Sequence, residues 1–345
     1  MNDYTLSNNT VKLLELKNSL FKENLLNASL QDIDKYNSSE IAKNWEFRRL
    51  YRPVRHNMSV DSFIIPVANG ASVTGFLYRR TKKQADDSQA VIVYVHSGGW
   101  IMGNIDITGA ICSNICDQTG AMVLAVDYRL APKFKFPTPI EDCYNAFLWA
   151  QAGAKYWKAN PSKVFLMGSA CGAAIAASVC QIARDRQGPV PAGLIMIDPV
   201  TDCRLRTSSC EKYKDNPVLT AKEITRSIEL YQREPKDILD PLFSPLESKD
   251  LSRMPDTLIL AAEYDILYDD AVLYEKAMLE GDSNAKLITR KNALHGLMDY
   301  PNSDRWKDYM TCVSDFVQGV SVSKIELTSS RKRLRRLKTD NFLLI

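Results

Sequence analysis

The chain has 345 residues, 45% of them hydrophobic and 25% charged, the balance of a globular protein rather than a disordered or fibrous one. That length suits one large domain or two ordinary ones. The net charge is +3, and from Ser321 onward seven basic residues stand against two acidic ones, a tail of +5. The body is therefore close to −2, which argues against binding a polyanion.

The opening Met1-Asn2-Asp3-Tyr4 has no positive stretch leading into an apolar run, so no secretory signal is expected. The apolar run 90–95 is far short of the ~20 residues of a membrane-spanning helix. Eight Cys are scattered without a CxxC pair or a nearby His. That pattern fits neither a small disulfide scaffold nor a zinc site, and reads as reduced thiols in a cytoplasmic protein.

In chain order, residues 11–30 place Leu13, Leu16, Leu20 and Phe21 on one helical stripe. A second helix is predicted to start at Asn37, with Glu40 closing a capping box, and to end before Pro53. Short β-rich runs follow at 62–67, 72–78, 90–96, 122–127, 164–169, 192–198, 257–263 and 285–289. From the third onward they are nearly continuous Val, Ile, Leu and Ala, as in strands covered on both faces. Helical stretches lie between them, one opening at Thr138-Pro139-Ile140-Glu141 with Thr as cap. This alternation predicts an α/β fold, a mostly parallel eight-stranded sheet flanked by helices. The stretch 201–245 breaks it, with a charged helix-like piece around 221–233 and Pro217, Pro235 and Pro241 as punctuation, and reads as an insertion above the strand ends.

In such sheets ligands bind beyond the carboxyl ends of the strands. Four loops there carry chemistry. His96-Ser97-Gly98-Gly99-Trp100 follows the third run, where adjacent glycines let backbone N–H groups approach an oxygen closely; by itself it would be a plain Gly-rich turn. Gly168-Ser169-Ala170-Cys171-Gly172 lies between a strand and an Ala-rich helix, the setting of a G-x-S-x-G nucleophile elbow, but its third residue is Ala. Glu263-Tyr264-Asp265 follows the seventh run and His295-Gly296 the eighth. A carboxylate and an imidazole at successive strand ends suit an orienting acid and a general base, in the order nucleophile, Asp, His. The chain has only three His (His56, His96 and His295), and two fall at positions this arrangement would use.

Together these loops resemble the hormone-sensitive-lipase-like esterase and lipase group of α/β-hydrolases. So do Asp127-Tyr128-Arg129-Leu130-Ala131-Pro132, Phe136-Pro137 with Glu141-Asp142, Asp198-Pro199-Val200-Thr201-Asp202, Ser244-Pro245-Leu246 and Ala262-Glu263-Tyr264-Asp265. The likeness runs from about Val60 to Val317. It implies an α/β-hydrolase fold with a helical cap: N-terminal helices over 1–55 contributing to the cap, a catalytic domain over 56–320 with the cap insertion at about 201–245, and a basic tail over 321–345. It further implies a carboxylic-ester hydrolase acting on a small-molecule ester of short to medium acyl chain, with no metal or organic cofactor. Asp265 would be the acid, His295 the base, and the N–H groups of Gly98, Gly99 and Cys171 the oxyanion donors. His96 would brace the oxyanion loop, and Trp100 would line the pocket.

Two departures stand out. The family's His-Gly-Gly-Gly reads His96-Ser97-Gly98-Gly99, tolerable if the φ of Ser97 is negative. Its Gly-Asp-Ser-Ala-Gly elbow reads with Ala170 at the nucleophile position, so the chain as written should not form an acyl-enzyme. Ala170 has three readings: an introduced replacement of Ser, a natural non-catalytic relative binding small molecules, or transfer of the role to Ser169 or Cys171. The elbow apex alone faces substrate, which speaks against the third. Retention of Asp265 and His295 favours the first. The tail around Arg331-Lys332-Arg333 and Arg335-Arg336 reads as a solvated terminus or as an electrostatic contact to an anionic surface. No nucleic acid is expected for the body, and both monomer and homodimer stay open.

Overall fold

The computed structural model describes residues 4–20, 29–37, 51–54, 56–81, 88–103, 105–301 and 303–327. Eight strands form one sheet: β1 (Met58–Pro66), β2 (Ser72–Arg80), β3 (Val91–Val95), β4 (Met122–Asp127), β5 (Val164–Ser169), β6 (Leu194–Ile197), β7 (Thr257–Tyr264) and β8 (Ala285–Leu294). Their order is β1-β2-β4-β3-β5-β6-β7-β8. β2 is antiparallel to both neighbours, and β4 through β8 pair in parallel. Strand order reverses between β3 and β5, the kind of switch point beside which ligands bind in open α/β sheets.

The side-chain period of two divides the core between the faces. Val91, Val93 and Val95 of β3 share one buried cluster with residues of α4 (Thr138–Gly153), α5 (Cys171–Asp185) and α8 (Tyr268–Glu280). Ile92 and Tyr94 point the other way, to α3 (Ile105–Thr119) and α9 (Trp306–Val317). All five residues of β3 are buried, which explains its unbroken apolar sequence.

The remaining helices are α1 (Asn8–Leu20), α2 (Leu30–Asn37), α6 (Ser208–Lys212) and α7 (Ala221–Tyr231). α1 covers the first predicted stripe up to Leu20, and Phe21 lies outside the described residues. The capping box predicted between Asn37 and Glu40 lies outside the described residues, because Glu40 does. Ser29 and Asp32 close the box that starts α2, with the Ser29 N–H on Asp32 Oδ2 at 2.8 Å. Asn37 is the last residue of α2, and its amide accepts from the Gly103 N–H at 2.9 Å and donates to the Ile101 carbonyl. Most of the helix predicted up to Pro53 lies outside the described residues. Thr138 is likewise inside α4 rather than capping it, and Glu141 pairs with Arg186 instead of closing a box. Between β6 and β7 the predicted helix appears as α7, opened by a capping box between Thr220 and Glu223. The short α6 before it gives no period to read in five residues.

β8 runs five residues beyond its predicted end. Arg290, Lys291 and Asn292 look like the close of a strand, but Arg290 is only 2% exposed because Asp198 neutralises it inside the protein. All eight Cys are buried, unbridged thiols. No helix among the described residues is long and apolar enough to cross a membrane.

Candidate active site

The loop after β5 is a sharp strand–turn–helix. Ala170 holds φ 51° and ψ −117°, a combination that L-residues adopt at a cost of about 1–3 kcal/mol. Its N–H donates to the Ile197 carbonyl at 2.8 Å. The turn closes only because of the glycine behind it. A Cβ on Gly172 would stand 2.2 Å from the Val95 carbonyl oxygen. Ser169 and Cys171 are buried, while Ala170 between them is not. The apex thus carries a methyl, and neither neighbour can replace it. Burial also pushes the Cys171 thiol up to about 11, so it is no thiolate at neutral pH.

The loop after β3 lies beside this turn, since Val95 and Gly168 are register partners. Gly98 (φ 118°) and Gly99 (φ 61°) fold it back on itself, and a Cβ on Gly98 would meet the Met102 carbonyl at 1.9 Å. Ser97 is not among the positive-φ residues, so the departure from three glycines is sterically free. The His96 ring stacks on Tyr128 at 4.1 Å and lies against Gly103. Its Nδ1–H donates to the Ser97 carbonyl, and burial pulls its pKa down to about 4. His96 is therefore a neutral wedge holding the loop. Tyr128, from the Asp127–Pro132 segment, donates its hydroxyl to the His96 carbonyl at 2.9 Å. The Trp100 N–H donates to Cys171 Sγ at 3.3 Å, tying this loop to the start of α5. The uncapped first turn of α5 opens at Cys171, leaving N–H dipoles at the elbow.

Trp100 is buried under α7, parallel to the ring of Tyr231 at 4.8 Å. Ser227, one turn earlier, sits over Gly99, where an added Cβ would lie 2.6 Å from its Oγ. Neither contact was legible in the sequence, because α7 is distant in the chain and its register on the loop is a tertiary fact. A cleft of about 530 Å³ opens along the other flank of α7, lined by Cys203, Leu205, Thr225, Ile228, Glu229 and Ile238 among others; the candidate residues do not border it.

Asp265 and His295 meet. Nδ1 of His295 is 2.7 Å from Asp265 Oδ2, and Asp265 Oδ1 accepts the Leu267 N–H at 3.0 Å. Burial disfavours the imidazolium, yet Asp265, with smaller help from Asp198 and Asp299, outweighs it and raises the His295 pKa. Asp198, Asp265 and His295 bring ligand atoms within 4.8 Å of one another. This set fits a hydrogen-bond network better than a cation site, for Asp198 already faces Arg290 and two backbone N–H groups. The motif Asp198–Asp202 also has a structural use: the N–H groups of Thr201 and Asp202 both donate to buried Asp270.

A family model of the α/β-hydrolase fold matches residues 92–299, and the chain belongs to that family. Among relatives, it is 30% identical to an arylesterase of Saccharolobus solfataricus over 63% of this chain and 71% of that protein. It is 29% identical to an ethyl acetate hydrolase of Pseudomonas putida over 69% and 76%. The solved esterase of Pyrobaculum calidifontis superposes with a TM-score of 0.80 at 25% identity, covering 92% of this chain and 99% of that one.

Proposed function

We propose that this chain carries the site of a carboxylic-ester hydrolase of the hormone-sensitive-lipase-like group, with Ala170 where the attacking Ser would stand. One observation carries the reading. The apex keeps the strained elbow conformation while the Asp265–His295 pair is complete at 2.7 Å. A turn with no use for that geometry has little reason to bear its cost. The names of the arylesterase and ethyl acetate hydrolase relatives support the same class of substrate.

In this reading the N–H groups of Gly98, Gly99 and Cys171 hold the carbonyl oxygen of a bound ester, and Trp100 backs the loop. The N-terminal helices and the 201–245 segment form the cap over the acyl group. With Ser in place of Ala170, His295 Nε2 takes the hydroxyl proton as Oγ attacks the carbonyl. The oxyanion is held by the three N–H groups, the imidazolium protonates the departing alcohol, and water then releases the acid by the same steps. Asp265 keeps the ring in the Nδ1–H tautomer. With Ala the covalent step is absent, leaving binding and whatever acceleration the oxyanion donors supply.

Ala170→Ser should raise hydrolysis of a short-chain p-nitrophenyl ester by at least ~10³-fold, the scale on which losing a Ser nucleophile acts. An unchanged rate in a folded variant overturns the hydrolase reading. Ala170 itself favours one other reading, a small-molecule binding protein using the same pocket. Saturable binding of an ester that persists while Ala170→Ser stays inert would establish it.

A further inference from the structure

A second buried carboxylate stands beside the Asp265–His295 pair, and the mechanism above does not use it. Asp198 follows β6, is 1% exposed and holds φ 44°. Its backbone N–H donates to the Leu260 carbonyl of β7, and the preceding carbonyl, of Ile197, receives the N–H of Ala170. Its side chain reaches two more elements. Oδ1 accepts the Ala262 N–H of β7 at 2.8 Å, and Oδ2 accepts the N–H of Gly296, the residue after His295, at 2.9 Å. Arg290 of β8, 2% exposed, places Nη2 on both carboxylate oxygens, 2.5 Å from Oδ1. One residue therefore joins the elbow, the acid strand and the turn that presents the imidazole.

The charges matter as much as the bonds. Two carboxylates, Asp265 and Asp198, lie close to one imidazole. Asp299, in the turn after His295, adds a third acidic group, pushed up to about 7 by burial first and by Asp198 second. The cation among them is Arg290, which Tyr309 of α9 also faces.

We propose that Asp198 and Arg290 act as a positioning pair for His295: Asp198 staples the imidazole turn to the sheet, and Arg290 offsets its charge so that Asp265 stays the main partner of the ring. Only the consequence for turnover rests on the hydrolase reading; the geometry and the charge balance do not.

The test uses the full chain with Ala170 in place and follows the pH midpoint of the His295 Hε1 proton by NMR, which needs to resolve just three His. A merely structural tie, once broken, lets the raised midpoint fall towards ~6.5 in every variant. A charge-balancing pair moves it both ways. Arg290→Met should raise the midpoint by about one unit by leaving Asp198 uncompensated, and Asp198→Asn should lower it by about as much. Arg290→Lys, which keeps the charge, should stay near the parent. A folded Arg290→Met whose midpoint falls or does not move overturns the proposal. If that variant does not fold, the comparison becomes Asp198→Asn against Asp198→Asn/Arg290→Met: a higher midpoint in the double variant supports the pair, and an equal one overturns it. In the Ala170→Ser protein, Asp198→Asn should then lower kcat about 10-fold with KM little changed. An inert Ala170→Ser protein would sink the hydrolase reading while the NMR midpoints still judge the pair.

Discussion

In the proposed reading Ala170 lacks only the oxygen of an attacking Ser, and the turn that carries it has the backbone conformation of a nucleophile elbow. Its positive φ, the glycine two residues on and the buried flanking side chains are properties of the turn, and the turn is set by packing between β5, α5 and β3. The same contrast holds for the two His at the site. His295 is buried against a carboxylate and its pKa rises; His96 is buried against a ring and a carbonyl and its pKa falls to about 4. Between about pH 4 and 6.5 the unfolded chain binds a proton at His96 that the folded chain refuses. Stability from this residue is therefore fully present above pH 6.5 and declines as the pH falls towards 4, by up to about 3 kcal/mol. The His96 Hε1 resonance should hold its neutral position down to pH 5, and a midpoint near 6.5 would contradict the buried placement.

Among the elements, α7 has the most consequence for the site. Its apolar face, Ile224, Ile228 and Tyr231 with Ser227 between, is buried, and the Tyr231 ring lies flat on Trp100 while also meeting Phe136 and Phe243. The helix thus presses on the glycine loop from above as α2 grips it from the side through Asn37. Tyr231→Ala should remove about 3–5 kcal/mol, the scale for truncating a buried aromatic. In the Ala170→Ser protein it should also lower kcat/KM, because the loop beneath loses its ceiling. Urea unfolding and ester hydrolysis on one preparation check both; a loss of stability with full activity would show that α7 does not shape the loop.

At the scale of the molecule, the proposed site draws on loops from four strands, whose order sets β3 next to β5 at the reversal and β7 next to β8, with β6 between the two pairs. Groups that act as one unit are non-additive when removed. In the Ala170→Ser background, Asp265→Asn should cost about 10⁴-fold in kcat, as loss of the orienting acid does in triad enzymes, and His295→Ala should return the rate to that of the Ala170 protein. Steady-state hydrolysis of the same nitrophenyl ester measures both. Activity of the Ala170→Ser protein that is indifferent to either change would place the reaction elsewhere on the molecule.

The parallel strands were legible because burial on both faces demands unbroken apolar runs, and β4 and β5 begin and end where those runs do. The meeting of Asp265 with His295 and the tight turn at the paired glycines were legible too, since both rest on residue types at strand ends. Arg290 shows why legibility stopped. A cation in a strand reads as the strand's end unless its partner is known, and Asp198 is 92 residues away in the chain. The Asn37 amide's bonds to Gly103 and Ile101 were hidden for the same reason, lying 66 and 64 residues on in the chain. The sequence by itself determined the order of elements and the chemical kinds at their ends, because periodicity and turn chemistry are local. Only the tertiary structure decided which charges are balanced, which helix covers the loop and how the imidazole is held, because those depend on contacts between residues far apart in the chain.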